Sequence, residues 1–406
     1  MKNRDNELRR VIRKIHASPY RIVLSVTGGG SQAISELLRH GNGSATLLEA
    51  LVPYGKNALA DLIGREPDSY CSEETARKMA MASFERALEL SYKEKDIETR
   101  HIIGVGVTCK LMKNEREREG RKHEIYFSSQ SILQTTATHL TLLNERTREE
   151  EEEITSSLII YRIAQLCNVD VNNIQSLPLT PELSNIRNRV AEVSPDIGNL
   201  LVNTLLQGEK ALNQSINLSS RLSSQNILLK NKTSLPKIIF AGSFNPCHKN
   251  HIEMARMAFK MYGFPVCLEI SLANADKPPI DFISLEYRLH SLERYMSEDF
   301  MGDIYLTNTP LFADKATLFP GCCFLIGADT LNRTFNERYY REGETKNSLL
   351  EHFKALKIRF LIFQRKGVEF EIDDEIRDIC KVVKITEYED DGTSSTLIRK
   401  KNVKMP

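Results

Sequence analysis

The sequence lacks the features that would place the protein in several large classes. Its 406 residues carry 55 Lys and Arg against 54 Asp and Glu, which gives a net charge of +1. Such a chain has no strong field to attract nucleic acid, and no basic stripe with interleaved aromatic residues occurs. No uninterrupted apolar span approaches membrane length, and Met1 to Arg13 lack the apolar core of a secretory signal. We therefore expect no nucleic-acid partner and no membrane partner.

Cysteine is present but is not arranged in a framework. The 8 cysteines are scattered, and only Cys322 and Cys323 are close, within one apolar run. This spacing predicts neither a disulfide scaffold nor a zinc ribbon and favours a reducing compartment. Since Asp5 and Glu7 also argue against a transit peptide, we expect a cytoplasmic protein. The sequence does not decide whether it forms a homo-oligomer.

The chain is long enough for two domains and has no internal repeat, and we expect both domains to be α/β. A polar stretch at 208–236 is typical of a linker, which would separate a domain at 1–207 from a second domain at 237–406. Glu149 to Glu153 form a run of five glutamates that we interpret as a solvated helix start or loop. Apolar residues then recur at helical spacing from Ile154 to Cys167.

The most informative segment begins with the apolar run Ile238 to Ala241. It continues as Gly242-Ser243-Phe244-Asn245-Pro246-Cys247-His248-Lys249-Asn250-His251 and then as a helix that Gly263 would end. Gly242 allows a ligand to approach the backbone, and a helix that opens near His248 directs unpaired N–H groups at the loop. The pattern predicts a phosphate-binding strand–loop–helix.

This segment resembles the HxGH nucleotidylyltransferase superfamily, and within it the nicotinamide or nicotinate mononucleotide adenylyltransferases. Asn250 stands where the family usually has glycine. A second motif, Thr393-Ser394-Ser395-Thr396-Leu397-Ile398-Arg399, resembles the family's Ile-Ser-Ser-Thr-x-Ile-Arg signature, with Thr393 replacing the first isoleucine. Between them, Gly327-Ala328-Asp329 resembles the family's Gly-x-Asp turn, and Arg365 ends a strand as in the family. The likeness covers roughly residues 235 to 402.

The resemblance implies transfer of AMP from ATP to a pyridine mononucleotide, with Mg²⁺ bound mainly through the ATP phosphates and no protein metal site. Such a catalyst aligns the reactants and stabilises phosphoryl charge. The implied catalytic residues are His248, His251 and Arg399. The implied nucleotide-binding residues are Gly242, Ser243, Phe244, Lys277, Gly327, Asp329, Arg365, Ser395 and Thr396. The implied fold is Rossmann-like, with parallel strands near 237–241, 265–271, 304–309, 322–327, 358–363 and 381–386.

Each of these residues has an alternative interpretation. The two histidines could be metal ligands, although no third ligand with convincing spacing accompanies them. Ser-Ser-Thr is a common helix cap, and Asp329 could cap the helix after its strand. Arg365 and Lys277 could be solvated surface charges. For the whole domain, the alternatives are another phosphorylated acceptor, or a catalytically weak nucleotide-binding sensor or scaffold.

The N-terminal half contains a second strand followed by glycines, Ile22 to Gly30. This half resembles the C-terminal domain of the CinA family, the nicotinamide-nucleotide amidases, and the matching residues are Ser25, Tyr54 and Thr108. Leu59 stands at the position of the family's lysine, and the loop after Thr108 lacks the family's glycines and proline. The resemblance therefore implies a degenerate amidase-like site. The domain would bind a pyridine nucleotide, hold a dimer or the other domain, or serve a structural role only; retained amidase activity is a further alternative.

Overall fold

In a computed structural model, the chain forms two compact units. The first comprises Met1–Leu206 with Asp276–Ile283, and the second comprises Gln207–Ala275 with Ser284–Pro406. The structure describes residues 2–94, 98–113, 120–143, 146–171, 183–206, 215–218, 236–273, 278–365, 372–384, 386, 388 and 391–402. Both units are α/β, so the predicted fold class is confirmed.

The first unit is built on a mixed six-stranded sheet. Its strands are β1 (Arg21–Thr27), β2 (Leu47–Leu51), β3 (Ile102–Lys110), β4 (Glu124–Gln130), β5 (Gln134–Thr141) and β6 (Ile186–Glu192). They lie in the order β2-β1-β3-β4-β5-β6. Strands β2, β1 and β3 are parallel, and β3 to β6 are antiparallel. Because parallel strands end at the same edge, the turn after β1 lies beside the end of β3.

Among the residues that the structure describes, six α-helices belong to the same unit. They are α1 (Lys2–His16), α2 (Ser31–Arg39), α3 (Lys56–Leu62), α4 (Glu73–Glu94), α5 (Arg148–Leu166) and α6 (Pro195–Leu206). Helix α4 lies very close to β3, since a Cβ on Gly104 would be 2.1 Å from the Phe84 nitrogen and one on Gly106 would be 2.4 Å from the Ala76 carbonyl oxygen. Glycine is therefore required at both positions.

The glutamate run lies at the start of α5, as one of our two interpretations had it, but Glu151 is not solvated. The helix starts at Thr147, which forms a capping box with Glu150. Glu151 is completely buried; one carboxylate oxygen lies 2.5 Å from His123 Nδ1 and the other accepts from the Met112 N–H at 2.6 Å. These bonds satisfy the carboxylate that burial removes from water. Glu152 is considered with the glycine turn below.

The short segment Asp276–Ile283 belongs to the first unit although its neighbours in sequence do not. Arg77 Nη1 lies 2.6 Å from both carboxylate oxygens of Asp281, and both side chains are largely buried. The Phe282 N–H donates to Thr135 Oγ1 at 3.0 Å. Removal of either partner of such a buried ion pair would leave the other charge uncompensated and would strongly destabilise the fold.

The second unit is built on a seven-stranded sheet. Its strands are β7 (Ser215–Asn217), β8 (Ile238–Ala241), β9 (Val266–Ser271), β10 (Met301–Thr307), β11 (Cys323–Gly327), β12 (Arg359–Phe363) and β13 (Cys380–Val383). They lie in the order β13-β12-β11-β8-β9-β10-β7. All six predicted strands are present and parallel. Strand β7 was not predicted; it lies in the stretch that we interpreted as linker and pairs antiparallel with β10.

Helices alternate with the parallel strands. They are α7 (Lys249–Tyr262), α8 (Phe282–Glu293), α9 (Phe312–Leu318), α10 (Ala328–Thr334), α11 (Lys346–Ala355) and α12 (Ser395–Asn402). Helix α7 ends at Gly263 in the left-handed conformation, as predicted. The core includes Phe324, Phe353 and Phe360, all fully buried. In the described parts of the chain, no helix is both long and apolar enough to cross a membrane.

Candidate active site

The loop after β8 packs around the aromatic ring of Phe244. The Gly242 N–H donates to the Glu269 carbonyl at 3.0 Å, which ties the loop to β9. Phe244 has a left-handed backbone (φ 41°) and is 1% exposed, with its ring 5.2 Å from the His251 ring. A Cβ on Gly242 would lie 2.9 Å from Phe244 Cζ. The glycine that we expected to admit a ligand thus makes room for Phe244, whose buried ring supports His251.

His248 and His251 lie together at the start of α7. His248 is the N-cap residue, His251 is three residues further along, and their ring centroids are 3.8 Å apart. The His248 backbone N–H donates to His251 Nδ1 at 3.3 Å. Burial, with the charges of His248 and Arg365, lowers the pKa of His251 to about 3. His251 is therefore neutral at physiological pH, and since Nδ1 accepts, the proton is on Nε2.

The C-terminal motif is bonded to the same loop. The Ser395 hydroxyl donates to the Pro246 carbonyl at 2.9 Å, and Arg399 Nη1 donates to the Asn245 carbonyl at 2.5 Å. The capping interpretation of this motif applies to Ser394, whose hydroxyl accepts from the Leu397 N–H at 3.3 Å. The side chain of Thr396 and all of Lys277 lie outside the described residues.

Asp329 and Arg365 meet at the carboxyl ends of β11 and β12. Asp329 is in the first turn of α10, and its Oδ1 is 3.8 Å from Arg365 Nη1. Arg365 Nη2 donates to the Thr393 carbonyl at 3.3 Å. A Cβ on Gly327 would lie 2.7 Å from Asp329 Oδ1, so glycine leaves room for that carboxylate. Open α/β sheets bind ligands at this edge.

Two further residues contact the site and were not predicted to belong to it. Asn250 is 3% exposed and its Nδ2 donates to the Thr393 carbonyl at 3.1 Å. Arg288, from α8, donates through Nη1 to the carbonyl of the exposed Ser243 at 3.1 Å. The replacement of the motif glycine marked position 250 as unusual, whereas Arg288 lies in no motif.

Four segments therefore converge on the start of α7: the loop from Gly242, the turn at Asp329, the strand end at Arg365 and the motif around Ser395. Their side chains are mainly imidazole, guanidinium and hydroxyl groups, which suit the binding of phosphate oxygens. Among the residues that the structure describes, no group of three or more His, Cys, Asp or Glu is placed to hold a metal ion.

The residues of the amidase-like resemblance are separated in the first unit. Ser25 is fully buried, with Oγ 2.7 Å from Ser83 Oγ. Thr108 is 1% exposed and its hydroxyl donates to the Tyr70 carbonyl at 2.7 Å. Tyr54 is 71% exposed and lines a pocket of about 380 Å³ beside the glycine turn. The structure therefore does not bring the three side chains to one accessible site.

The glycine turn itself holds a carboxylate from its own chain. The Gly30 N–H lies 2.9 Å from both Oε atoms of Glu152, and the Ser31 hydroxyl donates to Oε1 at 3.1 Å. The Gln32 N–H lies 3.4 Å from the same oxygen. Glu152 thus satisfies donors at the start of α2 that an external anion would otherwise bind.

Comparison with known proteins finds a family likeness in the second unit. Residues 239–401 match the family model for cytidylyltransferase-like proteins. This match confirms the predicted likeness of the C-terminal half to nucleotidylyltransferases. No curated protein matches the chain.

Solved structures of two kinds are similar to parts of the chain. The Plasmodium falciparum nicotinic acid mononucleotide adenylyltransferase complexed with NaAD is 20% identical over 41% of this chain and 83% of its own, with a TM-score of 0.31. A CinA superfamily protein from Klebsiella pneumoniae is 13% identical over 41% and 96%, with a TM-score of 0.28. The competence/damage inducible protein CihA from Agrobacterium tumefaciens is 12% identical over 41% and 92%, also at 0.28.

Proposed function

We propose that the second unit transfers AMP from ATP to nicotinamide or nicotinate mononucleotide. A phosphate oxygen of the mononucleotide attacks the α-phosphorus of ATP, the bond from that phosphorus to the bridging oxygen breaks, and pyrophosphate leaves. The products are the dinucleotide and pyrophosphate. This chemistry needs positioned donors rather than a protein nucleophile.

The observation that carries the proposal is the state of His251. A neutral imidazole with its proton on Nε2 is a hydrogen-bond donor to phosphoryl oxygen that carries no charge of its own. Phe244 supports the ring, and the His248 N–H orients it, so the donor is preorganised. Arg399 and Ser395 hold the carbonyl groups of the adjoining loop and keep that loop in place.

Mg²⁺ would be held mainly by the ATP phosphates, where it neutralises charge on the phosphates. The described donors at this site are mainly imidazole, guanidinium and hydroxyl groups. Mg²⁺ prefers oxygen ligands, so this donor set is consistent with a metal carried by the nucleotide.

The choice of a pyridine mononucleotide rests on the motifs and on the first unit. The motifs resemble those of mononucleotide adenylyltransferases, and the N-terminal half resembles an amidase family that acts on nicotinamide mononucleotide. We propose that this amidase-like domain has lost deamidation, which agrees with the burial of Ser25 and its bond to Ser83. A cytoplasmic location remains part of the proposal.

The test is to mix the full chain with ATP, Mg²⁺ and, separately, nicotinamide mononucleotide, nicotinate mononucleotide and phosphopantetheine. Pyrophosphate release and chromatography of the products identify the acceptor. We expect His251→Ala to lower turnover on the order of 10² to 10³-fold, as for loss of a donor to the transition state. His290→Ala is the matched control, because His290 is on α8 and 81% exposed.

Formation of a pyridine dinucleotide that His251→Ala removes and His290→Ala preserves would support the proposal. Turnover with phosphopantetheine alone would assign a different acceptor. Binding of ATP without turnover of any acceptor would assign a sensor or scaffold instead.

A further inference from the structure

The two positions at which the motifs depart from the resembled family are in direct contact. Asn250 is the second residue of α7 and its side chain is 3% exposed. Its Nδ2 donates to the carbonyl oxygen of Thr393 at 3.1 Å, across 143 residues of sequence. A glycine at 250 would have no side chain to make this bond.

The Thr393 carbonyl connects three parts of the site. It accepts from Asn250 and also from Arg365 Nη2 at 3.3 Å, and a carbonyl oxygen has two lone pairs for two donors. Arg365 Nη1 is in turn 3.8 Å from Asp329 Oδ1. The carbonyl thus joins the start of α7 to the ends of β11 and β12.

Thr393 is also fixed from its other side. Its N–H donates to Asp391 Oδ1 at 2.8 Å. The pKa of the Asp391 carboxyl is lowered, first by a hydrogen bond from the Thr393 side chain and further by bonds from the Thr393 backbone and from Asn250. Asn250, Thr393 and Asp391 therefore form one hydrogen-bonded cluster immediately before α12.

We propose that Asn250 and Thr393 act together as a brace that positions the C-terminal motif against the start of α7. Ser395 and Arg399 follow directly, and both bond the loop that leads to His248. Without the brace, α12 shifts, and the hydrogen bonds that Ser395 and Arg399 make to the loop are displaced. Asn250 and Thr393 are positioning residues, and their effect on turnover rests on the proposed function.

Three variants separate the parts of the brace. Asn250→Gly removes the side chain; Asn250→Asp keeps its shape but removes the donor and adds a carboxylate beside Asp391; Thr393→Val removes only the hydroxyl. We expect Asn250→Gly and Asn250→Asp to lower kcat about tenfold, the scale of one net hydrogen bond. The KM for ATP should change less than about threefold, because the positioning is needed most in the transition state.

The double variant tests whether the two residues act as a unit. We expect Thr393→Val to lower kcat about threefold in the wild-type background and not at all in the Asn250→Gly background. The matched control is Asn347→Gly. Asn347 is likewise the second residue of its helix, α11, it also follows a lysine, and it is exposed. This control reports the cost of glycine at that helix position without loss of the contact.

Hydrogen exchange of the full chain tests, independently of turnover, whether the brace holds the start of α12 in place. The Leu397 and Ile398 N–H groups bond Ser394 at the start of α12. We expect both amides to exchange about tenfold faster in Asn250→Gly and at the wild-type rate in Asn347→Gly. Wild-type exchange in Asn250→Gly, or an equal change in both glycine variants, would overturn the inference. If the wild-type protein turns over no acceptor, the proposed function fails while the exchange result still stands.

Discussion

Two loops that follow parallel strands, one in each unit, start from the same local pattern and end differently. After β1, Gly28-Gly29-Gly30 leads into α2, and after β8, the loop from Gly242 leads into α7. The N-terminal ends of α2 and α7 both favour the binding of anions. In the first unit the anion is the carboxylate of Glu152, from α5. In the second unit the helix start presents His251, whose pKa is about 3. What packs against a glycine turn, rather than the glycine itself, decides what the turn binds.

The largest effect should come from adding a methyl group to the first loop. A Cβ on Gly28 would lie 2.1 Å from the Cys109 carbonyl oxygen, and the backbone there is left-handed at φ +81°. We expect Gly28→Ala to destabilise the first unit by about 3 kcal/mol or more, since the strained backbone and the overpacking each cost about 1 to 3 kcal/mol. Hydrogen exchange of the β1 and β3 amides measures this loss of stability in the first unit by itself.

Gly242→Ala is the counterpart in the second unit. Its Cβ would meet the Phe244 ring at 2.9 Å, with a backbone outside the left-handed region. We expect a loss of about 1 kcal/mol in stability and a larger relative loss in turnover, because Phe244 supports His251. In the first loop the added methyl group meets a backbone carbonyl, and in the second it meets one aromatic ring. If both alanine variants lost the same free energy of unfolding, this difference between the loops would have no effect on stability.

A smaller effect should follow from emptying the first turn. Glu152→Ala leaves the Gly30 N–H and the Ser31 hydroxyl without their acceptor, which costs about 1 to 3 kcal/mol. Because the vacated space suits a small anion, acetate or phosphate should restore part of the stability, more than chloride at equal ionic strength. Thermal unfolding of the full chain in each salt measures the effect.

Glu149→Ala is the control for this experiment. Glu149 lines the same pocket and is exposed. We expect it to keep wild-type stability and to show no specific response to acetate. If the wild-type protein were stabilised by phosphate as strongly as Glu152→Ala, Glu152 would not be the anion that fills the turn.

The sequence predicted the second unit better than the first for a physical reason. Parallel strands buried on both faces appear as continuous apolar runs, and Gly263 ends α7 in the left-handed conformation that glycine favours. The motifs at His248 and at Arg399 could be recognised because their residues occur in an order known from the resembled family. The pairing of Glu152 with Gly30 joins residues 122 positions apart, and charge composition alone made the glutamate run look solvated. Contacts of this kind depend on how α5 packs, which local patterns do not encode.

The pH dependence of stability should distinguish His251, in the second loop, from an ordinary surface histidine. The pKa is about 3 in the folded chain and near 6.5 when unfolded, so the unfolded state binds the extra proton between these values. The contribution to stability is fully present above pH 6.5 and is lost as the pH falls toward 3, with a slope of at most about 1.4 kcal/mol per pH unit. His251→Asn, which cannot titrate, should flatten this slope when urea unfolding is measured at pH 7, 5.5 and 4.5. NMR of the imidazole should show no titration of His251 between pH 5 and 8. A His251 resonance that titrates near pH 6.5 would mean that the ring is charged below neutrality, and the neutral donor on which the proposed chemistry depends would be lost there.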